Sequence, residues 1–82
     1  PGNTPVRDLA ASNGFDDGYR QGLDDGRDGD RHDAGRHGRY RSADHGYRRD
    51  YGPKGLYQQA YRAAFERGYD DGYRDGRRRT WR

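Results

Sequence analysis

The sequence predicts an all-α protein built on two long helices and packed against other copies of itself. Three observations carry that reading. Small residues recur at every fourth position in two stretches: Ala10, Gly14, Gly18, Gly22 and Gly26, then Ala60, Ala64, Gly68, Gly72 and Gly76. A second period-four row runs beside each, Ala11–Phe15–Tyr19–Leu23 in the first and Tyr57–Tyr61–Phe65–Tyr69–Tyr73 in the second. Residues four apart form one ridge of an α-helix, so each helix carries a groove of small residues beside a ridge of rings. The third observation is scarcity. Val, Leu and Phe together supply six of 82 residues, with no Ile or Met, far below the roughly 20% at which disorder becomes the default reading of a chain. The apolar mass must come from eight Tyr, two Phe and Trp81, and copies of the chain are expected to complete one another's cores.

The two stretches are copies of each other. GFDDGYRQG at 14–22 aligns with GYDDGYRDG at 68–76, an offset of 54. A strand also returns residues i and i+4 to one face. However, YQQAYRAAFER at 57–67 is rich in helix formers and has no β-branched residue. Opposite charges also recur at helical spacing: Asp16 to Arg20, Arg20 to Asp24, Arg67 to Asp71, Asp70 to Arg74. Thr4 and Pro5 read as the cap and first residue of the first helix, with Asp8 in its first turn. Gly52 and Pro53 mark the same start for the second, whose C-terminal Arg77, Arg78 and Arg79 suit the helix dipole. The expected layout is one domain over 1–82: helix 5–27, charged loop 28–41, a short helix 42–51 capped by Ser42, and helix 53–79.

Glycine costs a helix interior about 1 kcal/mol against alanine. Seven of them amount to about 7 kcal/mol, comparable to the whole stability of a small domain. Close approach of backbones is the compensation that the spacing suggests. The expected helix-packing interface sets grooves at Gly14, Gly18, Gly22, Gly68, Gly72 and Gly76 against ridges at Phe15, Tyr19, Tyr61, Phe65, Tyr69 and Tyr73. One partner is enough for an intramolecular hairpin. A ladder of period four drifts around a helix of period 3.6 and can reach further neighbours, which suits a filament.

Motifs for chemistry are sparse. There is no cysteine, and no apolar run approaches a membrane span. DDGRDGDRHD at 24–33 is dense in carboxylates, but glycine stands third and no bidentate Glu follows, unlike a calcium loop. His32 and His37 with Asp33 lack a second ligand pair for zinc. No nucleophile or phosphate-loop motif is present. The expectation is a non-enzyme without metal or cofactor. RRRTWR at 77–82 is the strongest alternative signal. Arg77, Arg78, Arg79 and Arg82 with Trp81 could grip phosphates and stack a base, making nucleic acid or acidic polysaccharide the second candidate partner. Thirteen Asp hold the net charge to +3.

The segment 39–73, RYRSADHGYRRDYGPKGLYQQAYRAAFERGYDDGY, with GYRQGLDDGR upstream, resembles a group of small exported bacterial proteins of unknown function. These carry GYxxG repeats around a YRxADxGY segment. The resemblance implies a cleaved export signal and a place outside the cell or on its surface, and it implies no activity. The sequence is thus expected to encode an exported structural protein that forms a homo-oligomeric filament or surface layer.

Overall fold

A computed structural model describes residues 5–80, and Thr4, the expected first cap, lies outside them. Helix α1 runs Pro5–Asp28 and helix α3 runs Lys54–Thr80. Between them lies a strap, residues 29–53, with a 3₁₀ turn at Ala34–Arg36, a short helix α2 at Gly38–Ser42 and a second 3₁₀ turn at Arg49–Tyr51. The described chain has helices and no strand.

The two long helices pair through their glycine grooves. A Cβ built on Gly14, Gly18, Gly22 or Gly26 would collide with the backbone carbonyl of Tyr61, Phe65, Tyr69 or Tyr73 respectively. One built on Gly68, Gly72 or Gly76 would collide with that of Phe15, Tyr19 or Leu23. All six expected groove glycines, and Gly26 with them, are therefore in backbone contact with the partner helix. The groove is filled by main chain, and the expectation that rings settle into it is corrected. Each glycine presents its Cα hydrogens to a carbonyl, the geometry of weak Cα–H···O bonds, and the rings stand to the side.

Residue numbers rise together along the contact, so α1 and α3 run parallel, unlike the two helices of a hairpin. Contacting residues are 47 or 53 positions apart, so the two copies of the repeat pair slightly out of their 54-residue register. A period-four row drifts about 40° per rung on a straight helix. Contact at every rung from Gly14 to Gly26 therefore requires the helices to coil right-handedly about each other.

A parallel pair needs a long return, which the strap supplies. It leaves the C-terminal end of α1 and travels back along the pair to the start of α3. The short middle helix lies earlier than expected. Ser42 is its last residue, not its cap, and Ala43 ends it in the left-handed conformation (φ 55°) with its N–H donating to the Arg39 carbonyl at 2.8 Å. The Ala43 methyl is fully buried. Gly52 (φ 136°) makes the corner into α3, and any side chain there would press on buried Val6. The helix then starts one residue later than expected, with the Pro53 carbonyl accepting from the Tyr57 N–H.

The scarce core is made of tyrosine. Tyr57, Tyr61, Phe65 and Tyr69 are fully buried, together with Ala10, Ala43 and Ala64, and Val6 is nearly so. Neighbouring rings from Tyr57 to Tyr73 lie 6.0–6.4 Å apart along α3. Buried hydroxyls need partners, and no buried side-chain polar atom among the described residues lacks one. The expected i,i+4 ion pairs do not form. The helices instead carry Asp24–Arg27 and Asp71–Arg74, both i,i+3 and exposed, of little energetic weight.

Candidate functional site: two faces of the helix pair

On each helix the residue before a glycine points to one side of the contact and the residue after it to the other. In a parallel pair, the side after the glycine on one helix meets the side before the glycine on the other. Aspartates that precede a groove glycine (Asp17, Asp25, Asp75) therefore meet tyrosines that follow a small groove residue (Tyr61, Tyr69, Tyr19). The Tyr61 hydroxyl donates to Asp17 at 2.5 Å, and Tyr69 donates to Asp25 at 2.5 Å. Asn13 donates to the Tyr57 oxygen at 2.9 Å. Phe65 occupies the rung level with Gln21, where no carboxylate requires a donor.

The strap closes over this face. Asp17 and Asp25 are buried, each matched by one arginine and one histidine from the strap. Arg39 and the His45 Nδ1–H donate to Asp17 at 3.2 and 2.7 Å. Arg36 and the His37 Nε2–H donate to Asp25, both at 2.8 Å. The third histidine, His32, pairs with exposed Asp70 at 2.8 Å and meets the rings of Tyr69 and Tyr73 edge-on. Tyr57 and Tyr73 donate to the strap carbonyls of His45 and Asp30, and Tyr69 accepts from the Asp33 N–H. Arg62 reaches the carbonyls of Tyr40 and Arg41. Each buried carboxylate thus accepts three donors, and the arrangement clasps the strap to the helix pair.

Burial alone would raise the Asp25 carboxyl. The hydrogen bonds from Tyr69 and His37 and the charges of His37 and Arg36 outweigh it and hold the group below its ordinary value of 3.8. A carboxyl lowered by folding stabilises the fold above its unfolded value, and the contribution disappears as pH falls through the folded value. Tyrosine works in the opposite direction. Burial, then the hydrogen bonds to Asp17 and Asp25, raise Tyr61 and Tyr69, the latter to about 12. Their contribution is complete below pH about 10 and declines as pH climbs through the folded value. Urea midpoints measured across pH should therefore form a plateau that falls away below pH about 4 and above about 10. An alkaline limb unchanged in Tyr69→Phe would count against the Tyr69 assignment.

The opposite face has no strap. Phe15, Tyr19 and Leu23, the α1 ridge, are half-buried there, and the Tyr19 hydroxyl donates to Asp75 of α3 at 2.6 Å, echoing the clasp side. Phe15, Asp16, Tyr19 and Arg20 line a shallow depression of about 370 Å³. Arg7, Leu56, Gln59 and Ala60 line a second of about 290 Å³, and exposed Leu9 lies on α1 nearby in sequence.

The expected site residues fall into three groups. The six groove glycines and Tyr61, Phe65, Tyr69 and Tyr73 are spent inside the chain. Phe15 and Tyr19 contribute backbone to the groove contact while their rings stay half-exposed. Of the basic cluster, Arg77 and Arg78 are exposed, with the Arg77 guanidinium 5.8 Å from the Tyr73 ring centroid. Trp81, Arg82 and the Arg79 side chain lie outside what is described. The 24–33 carboxylates diverge, Asp25 into the clasp and Asp24 to Arg27. His32 and His37 pair with different aspartates. Sequence reasoning missed the acceptor roles of Asp17 and Asp25. The signal was available in the order about the small residues, since aspartate precedes Gly18 and Gly26 and tyrosine follows Ala60 and Gly68, which sets acceptors and donors on opposite sides of the grooves.

Fold and faces together define a parallel, glycine-packed helix pair clasped by its own connection. No family model matches the sequence, and no curated protein or solved structure matches it. No helix among the described residues is long and apolar enough to cross a membrane.

Proposed function

We propose that this chain is a non-enzymatic structural protein that associates with copies of itself, building a filament or layer outside the cell or on its surface. One observation supports the reading above others. The chain carries two ring-bearing stripes, and its strap covers one and not the other. A half-exposed stripe of Phe15, Tyr19 and Leu23 on a chain this short of apolar residues is best accounted for by a surface that is covered in use. The glycine grooves hold each subunit together, so assembly falls to the half-exposed α1 ridge. The exported location follows the resemblance of the GYxxG and YRxADxGY segments to exported bacterial proteins.

Sedimentation velocity over a hundredfold concentration range, with negative-stain microscopy of the top concentration, tests this. Concentration-dependent growth in mass, ending in filaments or sheets, is expected. A monomer at every concentration overturns it. If that monomer retards nucleic acid with steep salt dependence, the exposed Arg77 and Arg78 become the functional surface instead.

A further inference from the structure

We infer that Tyr61 and Tyr69 are proton-coupled redox sites, each giving one electron to an outer-sphere one-electron oxidant and its phenolic proton to the aspartate beside it. They act independently of self-association. A tyrosine that loses an electron at neutral pH must also lose its hydroxyl proton, so the acceptor of that proton decides where oxidation can rest. Tyr57, Tyr47 and Tyr73 donate to the backbone carbonyls of His45, Gly52 and Asp30, and a carbonyl holds a proton far too weakly. Phe65 has no hydroxyl. Tyr61 and Tyr69 donate instead to the carboxylates of Asp17 and Asp25, each at 2.5 Å, and a carboxylate that takes up a proton becomes a neutral acid. In the step, the Tyr61 hydroxyl and the Asp17 carboxylate become a phenoxyl radical and a carboxylic acid, and the electron reduces the oxidant. Tyr69 and Asp25 do the same, and a returning electron and the same proton restore each pair.

Burial makes the product persist. Phenoxyl radicals are ordinarily lost when two of them meet and couple, and the rings of Tyr61 and Tyr69 are fully enclosed. Ring contacts give the electron a way out. Tyr69 stacks on half-buried Tyr73 with centroids 6.0 Å apart. Tyr61 lies 6.1 Å from Tyr57, which lies 5.2 Å from half-buried Tyr47. Tyr19 and Tyr40 also donate to carboxylates, those of Asp75 and Glu66, but their rings are only half-buried, so radicals there are short-lived.

Photogenerated tris(bipyridyl)ruthenium(III), a one-electron oxidant, tests this on the folded protein, read by phenoxyl absorbance and electron paramagnetic resonance. The parent should give a radical that outlives that of free N-acetyltyrosinamide, and the excess lifetime should vanish in urea. Its rate of formation should not change with the concentration of buffer base, because the proton acceptor is built in. Tyr61→Phe and Tyr69→Phe should each lose part of the long-lived signal, and the two together all of it. Tyr57→Phe, at a ring equally buried but donating to a carbonyl, should keep it. Circular dichroism verifies the folding of each variant, and if the double variant fails to fold the two single variants carry the comparison. A parent radical no longer-lived than that of free N-acetyltyrosinamide overturns the proposal whatever the variants do. So does a long-lived signal that survives loss of these hydroxyls or falls equally in Tyr57→Phe, and so does a rate that rises with buffer base.

Discussion

Gly18→Ala and Gly72→Ala are each expected to destabilise the protein by about 2–3 kcal/mol, although alanine is the better helix former by about 1 kcal/mol. A Cβ at Gly18 would lie 2.9 Å from the Phe65 carbonyl carbon and closer still to its oxygen. At Gly72 it would lie 2.8 Å from the Leu23 nitrogen and closer to the Tyr19 oxygen. These obstacles are helix backbone, which cannot turn aside as a side chain can. The helices must separate, and separation loosens every other rung and the tyrosine core beside them. Gly55 is the control. It lies in the first turn of α3, where an added methyl would have nothing within 4 Å, so Gly55→Ala should be neutral or stabilise by up to about 1 kcal/mol. Urea denaturation of the three variants measures the contrast. Equal small gains at all three positions would mean that the grooves are not in contact.

Asp17→Ala is expected to cost about 3–5 kcal/mol, the range for breaking a buried charge cluster by removing one member. That is much of the 5–15 kcal/mol on which a small domain stands. The change leaves the fully buried Tyr61 hydroxyl without its acceptor and removes the carboxylate that holds Arg39 and His45. The strap should then detach at its α3-proximal end, exposing amides near His45 to hydrogen exchange. Tyr61→Phe tests the mechanism in a double-mutant cycle. It should be costly in the parent and nearly free once Asp17 is alanine, with about 1–3 kcal/mol of coupling between the two. Additive effects would show that the hydroxyl and carboxylate do not act together.

Much of the architecture was legible in the residues. The period-four rows located both helices to within a residue or two, because a helix returns every fourth side chain to nearly the same face whatever surrounds it. The same rows named the packing glycines, since nothing but close backbone approach compensates for so many in helix interiors. The middle of the chain was less legible. Ser42 has the chemistry of a cap yet ends a helix, because the buried methyl of Ala43 and the hydrogen bonds of the strap outweigh a local preference worth about 1 kcal/mol.

The direction of the pairing lies between the two cases. In an antiparallel pair the aspartates that precede groove glycines would share one face and the tyrosines that follow small groove residues the other, gathering unpaired carboxylates. Only parallel helices put Tyr61 against Asp17 and Tyr69 against Asp25. The placing of aspartate before and tyrosine after the small residues carries that instruction, although period alone does not. What no periodicity could supply is which of two equivalent stripes the strap would cover. Both present rings beside acceptors, and the choice depends on Arg36, His37, Arg39 and His45 reaching Asp17 and Asp25 across ten or more residues of intervening chain. Local composition determined the helices and their grooves because those depend on neighbours four residues apart. Which face the strap covers was decided by contacts that exist only once the chain has folded back along itself.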